Sequence, residues 1–222
     1  MIRFENTEVM NFDGAFRGMR NPLNSWGKAD SYFDLEEDPT PVNPNDWAIF
    51  RIGPNDMDLA KRLINAGSDH RKFLRQIIVS VDITAPLYWW KEFDTYKVAT
   101  VANSCSTMHK IHSKPIELSD FSFEDFCIDE YGMYGVVDLF NKVVNDCELL
   151  RKKYLETKEK RYWRALIQLL PESYNQKRTV TLNYETLRNI SKSRRNHKLD
   201  EWSIGFMEWI DSLPYAEDLI IN

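Results

Sequence analysis

Cys105, His109 and His112 follow one another at i, i+4 and i+7, a spacing that on a helix places all three side chains on one face. A thiolate and neutral imidazoles are good zinc ligands, and three protein ligands with an open position suit a catalytic zinc. The alternative is that the Ser and Thr residues around Cys105 make this a loop with polar side chains near a pocket. Because neither remaining histidine has an informative spacing for a fourth ligand, we predict no metal site.

Phosphate-binding glycine motifs are absent from the sequence: it contains no G-x-G-x-x-G, no Walker loop and no nucleophile elbow. A nucleotide site must therefore be built from side chains and helix termini. A basic stretch over 151–164 offers cations to a phosphate, but such a run is more often the solvated side of amphipathic helices. We interpret it in that way.

The elements that must position these side chains alternate between strands and helices. Residues 2–12 and 77–84 alternate as half-buried strands do, and 178–182 is strand-like. Helices are predicted at 54–66 (ending before Gly67), 87–93, 134–154, 159–169, 184–194 and 201–212. On the long helix, Val136, Leu139, Phe140, Val143, Cys147 and Leu150 form the predicted buried stripe. The order predicts an α+β fold, a twisted central sheet flanked by helices with a helical C-terminal half.

Length and composition set the class of protein. A chain of 222 residues, 43% hydrophobic, suits a single domain over 1–222, with 20–46 as one long wrapping loop. A net charge of −5 disfavours a protein that coats DNA or RNA, and no apolar run approaches the roughly 20 residues that cross a bilayer. An odd number of cysteines, 3, and an N-terminus without a signal-peptide pattern predict a reducing, cytoplasmic location.

The stretch 170–202 carries the most informative pattern. Its landmarks are Leu170-Pro171, a strand-like run ending at Asn183, a helix with Leu187, Asn189 and Arg194, and a closing Glu201-Trp202. This order resembles the C-terminal region of the flavin-dependent thymidylate synthases. In that family a Leu-Pro precedes a strand ending in Asn, a helix with Leu, Asn and Arg, and a Gln-Trp-Glu.

The central region resembles the same family. Ala85-Pro86 after a strand matches its Ala-Pro, and counting onward places Thr95-Tyr96-Lys97 on the signature Arg-His-Arg. The same count places Glu92 on a nucleotide-contacting Gln, Asn103 on the motif's Glu and Cys105 on its second Ser. The resemblance spans roughly residues 57–212.

The resemblance implies a role for each matching position. Tyr96, Lys97, Asn183 and Asn189 would contact FAD, whereas Glu92, Asn103, Lys177 and Arg194 would contact a pyrimidine nucleotide such as dUMP. Cys105 and Arg194 would be catalytic: a thiol near cations has a lowered pKa and can attack pyrimidine C6. The alternative for Cys105 is a small packing residue at the base of a pocket.

The departures from the family leave two hypotheses open. An active protein would transfer a methyl group to the pyrimidine, using methylene-tetrahydrofolate and NADPH, in a homotetramer whose sites lie between subunits. The loss of Arg-His-Arg instead favours an inactive family fold that serves as a nucleotide-binding or protein-interaction module. The retained Asn183, Asn189 and Arg194 favour the active enzyme.

Overall fold

The computed structural model describes residues 2–35, 48–126 and 134–222. The strands are β1 (Arg3–Met10), β2 (Tyr32–Leu35), β3 (Ala48–Arg51), β4 (Ile78–Pro86), β5 (Val101–Ser104) and β6 (Asn175–Asn183). The helices are α1 (Phe12–Met19), α2 (Pro54–Asn65), α3 (Leu87–Phe93), α4 (Tyr134–Thr157), α5 (Lys160–Leu169), α6 (Tyr184–Arg194) and α7 (Met207–Asp211). A π-helical turn, Glu201–Phe206, leads into α7, and another, Glu217–Ile221, ends the chain.

The predicted strands 77–84 and 178–183 are neighbours in one sheet, as the sequence indicated. Within the described ranges, this sheet has four strands in the order β1-β4-β6-β5. Val79, Val81 and Ile83 of β4 are at most 1% exposed, and Val180 and Leu182 of β6 are buried as well. Alternation thus identified the buried face of both strands, and the α+β prediction is confirmed.

The contacts of the chain divide it into two compact units. The first consists of Met1–Glu5, Asp82–Lys97 and Ala102–Val180, and the second of Asn6–Val81, Val98–Val101 and Thr181–Asn222. That residues 1–222 form a single domain remains a prediction. Among the described residues, none of the helices combines the length and apolar character that crossing a bilayer requires.

The first unit has its own core where α4 and α5 meet the segment before α4. Cys147 and Leu166 are completely buried there, beside Phe121 and Val144. Burial raises the pKa of the Cys147 thiol to about 11, so this cysteine is a packing residue.

The predicted buried stripe of α4 is wrong at its N-terminal end. Val136 is 39% exposed and Leu139 is 62% exposed, whereas Val144 is buried. Helical periodicity identifies an apolar face but not how far the neighbouring elements extend along it.

The second unit contains a buried ion pair and a hairpin. Arg20 follows α1 and pairs with Asp56 of α2 (Nε–Oδ1 2.6 Å), both side chains being at most 4% exposed. Strands β2 and β3 pair antiparallel, with Tyr32 opposite Arg51. The described part of the predicted 20–46 loop thus contains a strand and two 3-10 turns, Asn21–Leu23 and Trp26–Lys28, and its remainder lies outside the described residues.

Candidate functional site

A pocket of about 270 Å³ lies in the first unit around Cys105. Its lining comes from β1, β4, the end of β5, the start of β6 and the segment before α4: Arg3, Glu5, Thr84, Cys105, Ser106, Thr107, Lys114, Ser119, Asp120, Tyr174, Asn175, Gln176 and Lys177. The backbone N–H of Cys105 donates to the carbonyl of Lys177 (2.9 Å). The amide of Gln176 donates to the Cys105 carbonyl (2.6 Å). These bonds place the exposed Cys105 beside β6 and join two of the predicted site residues.

Lys177 is already paired inside this unit. Its ammonium lies 3.1 Å from a carboxylate oxygen of Asp82 and 3.4 Å from one of Glu5. These hydrogen bonds, with Asp82 the stronger partner, raise the pKa of Lys177. Lys114 pairs in the same pocket with Asp120 (2.5 Å). The pocket therefore combines cations with carboxylates, and a phosphate entering it would compete with Asp82 and Glu5 for Lys177.

The segment that carries Cys105, His109 and His112 is not a helix. It leaves β5, turns, and ends in a short 3-10 turn, Ile111–Ser113. His112 packs edge-on against Tyr154, and the N–H of His109 donates to the Ser106 hydroxyl (2.8 Å). The loop interpretation is therefore right, and the shared helical face is wrong. Within the described part of the chain, no group of His, Cys, Asp and Glu side chains is arranged to hold a metal ion.

A cluster of basic side chains lies in the second unit beside α6. We call Arg71, Arg75, Glu185, Arg188, Asn189 and Lys192 the α6 cluster, because positions 185, 188, 189 and 192 lie on one side of that helix. The Glu185 carboxylate accepts from Arg71 Nε (3.2 Å) and from Arg75 Nε. Arg71 Nη2 reaches the side-chain oxygen of Asn189 (3.5 Å).

Arg188 is the unusual member of the α6 cluster. It is 4% exposed, and its Nη1 donates to the carbonyl of Ile220 (2.8 Å). Among the described residues, no carboxylate pairs with Arg188, and its buried Nε has no hydrogen-bond partner. Burial and the charge of Arg71 lower the pKa of Arg188, while burial and the charges of Arg188 and Arg71 lower that of Lys192. The α6 cluster thus holds more positive charge than Glu185 compensates.

The other predicted site residues belong neither to the lining of the pocket at Cys105 nor to the α6 cluster. Asn183 caps α6, since its side-chain oxygen accepts from the N–H of Thr186 (2.9 Å). Arg194 ends α6 with its guanidinium 4.9 Å from the centre of the Trp202 ring.

The central-motif positions belong to the first unit, where Glu92 lies in α3, Tyr96 and Lys97 follow it and Asn103 is in β5. None of the four lines the described pocket.

Sequence reasoning missed the basic members of the α6 cluster. Arg71 and Arg75 lie four residues apart, as do Arg188 and Lys192 around Asn189. These two i, i+4 pairs of basic residues are the sequence signal that could have revealed the cluster. On a helix, Arg188 and Lys192 necessarily lie on the same side as Glu185 and Asn189.

Comparison with solved structures identifies the architecture. Thymidylate synthase X from Helicobacter pylori, in complex with FAD and dUMP, superposes with a TM-score of 0.68 at 15% identity, covering 100% of this chain and 96% of that one. A second complex of the same enzyme gives a TM-score of 0.63 at 15% identity, covering 98% of this chain and 97% of that one. The chain has the fold of the flavin-dependent thymidylate synthases.

The resemblance that the sequence predicted is therefore confirmed for the fold. No family model and no curated protein sequence matches this chain. Membership of the flavin-dependent thymidylate synthases remains a prediction.

Proposed function

We propose that this protein binds FAD and a pyrimidine nucleotide such as dUMP, the two ligands of its Helicobacter pylori structural neighbour. The observation that carries the proposal is the α6 cluster. Asn189, to which the resemblance gives a flavin contact, accepts from Arg71 and lies on the same side of α6 as Arg188 and Lys192, and the charge of these cations is only partly compensated. The FAD diphosphate carries two negative charges and is the part of the cofactor that such a cluster suits.

The residues of the α6 cluster fit a diphosphate on two grounds. Burial first, and then the charges of neighbouring cations, lower the pKa values of Arg188 and Lys192, and a phosphate nearby would relieve the second of these two effects. The guanidinium groups of Arg71 and Arg75 are planar forks that suit phosphate oxygens. Both already contact Glu185, which orients them. We assign diphosphate binding to Arg71, Arg75 and Lys192, with Asn189 as a hydrogen-bonding partner.

We assign the nucleotide to the pocket at Cys105. Arg3, Lys114 and Lys177 supply cations to its lining, and the exposed thiol of Cys105 lies on the same wall. Glu92, Asn103 and Arg194 do not line this pocket and stay substrate contacts that the resemblance predicts. Tyr96, Lys97 and Asn183 stay flavin contacts that the resemblance predicts. When bound, FAD supplies the redox chemistry of methyl transfer from methylene-tetrahydrofolate, with NADPH as reductant. Cys105 would act on the pyrimidine bound in this pocket, and the catalytic role of Arg194 stays a prediction from the resemblance.

The second candidate is a protein of the same fold that binds nucleotide without catalysis. The observation that favours it is Lys177, whose ammonium is held by Asp82 and Glu5. Oxidation of NADPH that depends on added dUMP would support the enzyme. Binding of FAD and dUMP without NADPH oxidation would support the inactive module.

We expect Lys192→Ala to weaken FAD binding by about 1–2 kcal/mol, because a charge-assisted contact to phosphate is lost. Titration calorimetry with FAD, and with riboflavin, which lacks the diphosphate, measures the effect. The loss should be specific to FAD.

The matched control for this titration is Lys198→Ala, which removes an exposed lysine beyond the end of α6. It should leave FAD affinity unchanged. Equal affinity of the unaltered protein for FAD and riboflavin would contradict the assignment of the α6 cluster, and no flavin binding at all would refute the proposed function.

We also propose that the chain forms homo-oligomers, with a tetramer as the expected state. The exposed apolar side chains Val136 and Leu139, one turn apart on α4, support this, because adjacent exposed apolar side chains are typical of interfaces. Leu139→Lys should lower the molar mass measured by light scattering at micromolar concentration, whereas Leu23→Lys, at a similarly exposed site (56% against 62%) outside α4, should not. A monomeric unaltered protein would contradict this prediction.

A further inference from the structure

Basic side chains concentrate where α4 is followed by α5 in the first unit. These two helices pack on each other, and we call residues 152–164, which end α4 and begin α5, the α4–α5 tip. The tip has six basic residues and two acidic ones, and all eight are exposed: Lys152, Lys153, Lys158, Lys160, Arg161, Arg164, Glu156 and Glu159. It is therefore a cationic surface in a chain whose net charge is −5.

Most cations of the α4–α5 tip are not compensated within the protein. Arg161 pairs with Glu159 (2.8 Å), and Lys152 lies 3.5 Å from a carboxylate oxygen of Glu148. The other four basic residues have no ion-pair partner within the part of the chain that the structure describes: Lys153, Lys158, Lys160 and Arg164. Their charges are available to an anion outside the protein.

Lys158 occupies a position that favours glycine. It directly follows α4 with φ of +57°, and its N–H donates to the Tyr154 carbonyl (2.9 Å). Helices often end on a glycine in this left-handed conformation, because other side chains disfavour it. The Lys158 side chain thus strains the turn, and no ion pair among the described residues offsets that strain.

Two apolar side chains flank the lysines at the end of α4. Leu149 (54% exposed) and Leu155 (37% exposed) lie three residues before and after Lys152, so each is its neighbour on the helix surface. Exposed leucines beside lysines can enter the boundary between lipid headgroups and acyl chains, while the lysine ammonium groups stay among the headgroups. The backbone of a nucleic acid offers no apolar region of that kind.

The aromatic side chains at the start of α5 are engaged within the protein. Arg161 lies over the Tyr162 ring at 4.8 Å and donates to its hydroxyl oxygen (3.1 Å). The indole N–H of Trp163 donates to the carbonyl of Met108 (2.8 Å). This arrangement disfavours the base stacking by which proteins bind single-stranded nucleic acids.

We propose that the α4–α5 tip docks the protein on an anionic phospholipid surface. Lys153, Lys158, Lys160 and Arg164 contact the headgroup phosphates, and the two leucines enter the interface. Clusters of four to eight basic residues on an amphipathic helix are typical of proteins that bind anionic lipid leaflets. This docking is independent of FAD and of the nucleotide, because the tip shares no residue with the α6 cluster or with the pocket at Cys105.

Sedimentation of the full chain with lipid vesicles tests the docking. We expect binding to vesicles of phosphatidylcholine mixed with phosphatidylglycerol, and none to phosphatidylcholine alone. The binding should be lost at about 1 M salt, where the Debye length is about 3 Å. Lys153→Gln combined with Lys160→Gln should weaken it at least about tenfold, since each lysine near such a surface contributes about fivefold.

The matched control combines Lys28→Gln with Lys198→Gln, which removes the same charge from two exposed sites of the second unit. Vesicle binding should be unchanged in this control. Failure of the unaltered chain to bind anionic vesicles, or an equal loss of binding in both lysine pairs, would overturn the proposal. Binding of a DNA duplex through Lys153 and Lys160 without vesicle binding would also overturn it and assign the tip to nucleic acid.

Two further variants test the leucine contact and the strained lysine. Leu149→Gln should weaken vesicle binding severalfold, whereas Leu23→Gln, at a similarly exposed site (56% against 54%), should not. Lys158→Gly should raise the urea midpoint of unfolding, because the turn loses its strain, and should still weaken vesicle binding about fivefold.

Discussion

Replacing Asp56 with asparagine is expected to lower the free energy of unfolding by about 3–5 kcal/mol, the range for breaking a buried ion pair. Asp56 is 1% exposed, and its carboxylate accepts from Arg20, Asp30 and Ser31. The substitution leaves Arg20 charged and buried without compensation. It also turns an amide N–H₂ toward groups that are themselves donors. Urea denaturation at neutral pH measures the loss.

The control for this prediction is the exposed Asp58, two residues after Asp56 on α2. Asp58 pairs with Arg62 at 2.9 Å, but both side chains are 68% exposed. Asp58→Asn should therefore change the free energy of unfolding by no more than about 0.5 kcal/mol. If the two variants lose the same stability, the buried Arg20–Asp56 pair contributes no more to folding than an exposed ion pair does.

Replacing Glu148 with glutamine is expected to lower the free energy of unfolding by about 2–3 kcal/mol at pH 7. Glu148 on α4 accepts from Arg151 Nε (2.6 Å) and Nη2 (2.8 Å), and from the N–H of Ile116 (3.0 Å). Arg151 in turn donates to the carbonyl of His112 (3.2 Å). The Glu148–Arg151 pair therefore holds residues 112–116 against α4. Lys114 and Asp120, which line the pocket at Cys105, lie in or just after this segment.

The effect of Glu148 depends on pH in a definite direction. The Arg151 hydrogen bonds lower the pKa of Glu148 from 4.5 to about 2. A carboxylate with a lowered folded-state pKa contributes its full stability above pH 4.5, and this contribution is lost as the pH falls through 2. The difference between the unaltered protein and Glu148→Gln should therefore shrink below pH 4.5 and vanish below pH 2.

Glu156→Gln provides the matched comparison, because Glu156 is an exposed residue of the same helix. This substitution should leave the free energy of unfolding unchanged at every pH. A stability loss in Glu148→Gln that stays constant between neutral and acidic pH would show that the side chain acts through packing rather than through its charge.

Local sequence determined several of the elements of this protein, although α1, β2, β3 and β5 were not predicted from it. Alternation identified β4 and β6. Ala85-Pro86 marked the point where α3 begins, and Leu170-Pro171 the point where α5 ends. Gly67 ends α2 with φ of +108°, a backbone conformation that side chains disfavour, which is why a glycine there was readable as a helix stop. These features depend on a residue and its nearest neighbours, so the sequence alone specified them and the α+β class.

The partners of the charged residues were decided by the tertiary structure alone. Arg71 meets Glu185 across 114 positions of the chain, and Lys177 meets Glu5 across 172. The apolar stripe of α4 was visible in the sequence, yet Leu139 at one end of it is exposed and Cys147 further along it is buried. Periodicity states which way a side chain points along its own element. Which charge or apolar surface a side chain contacts depends on how distant parts of the chain pack together, and no local pattern encodes that. Coulombic and apolar contacts act between neighbours in space.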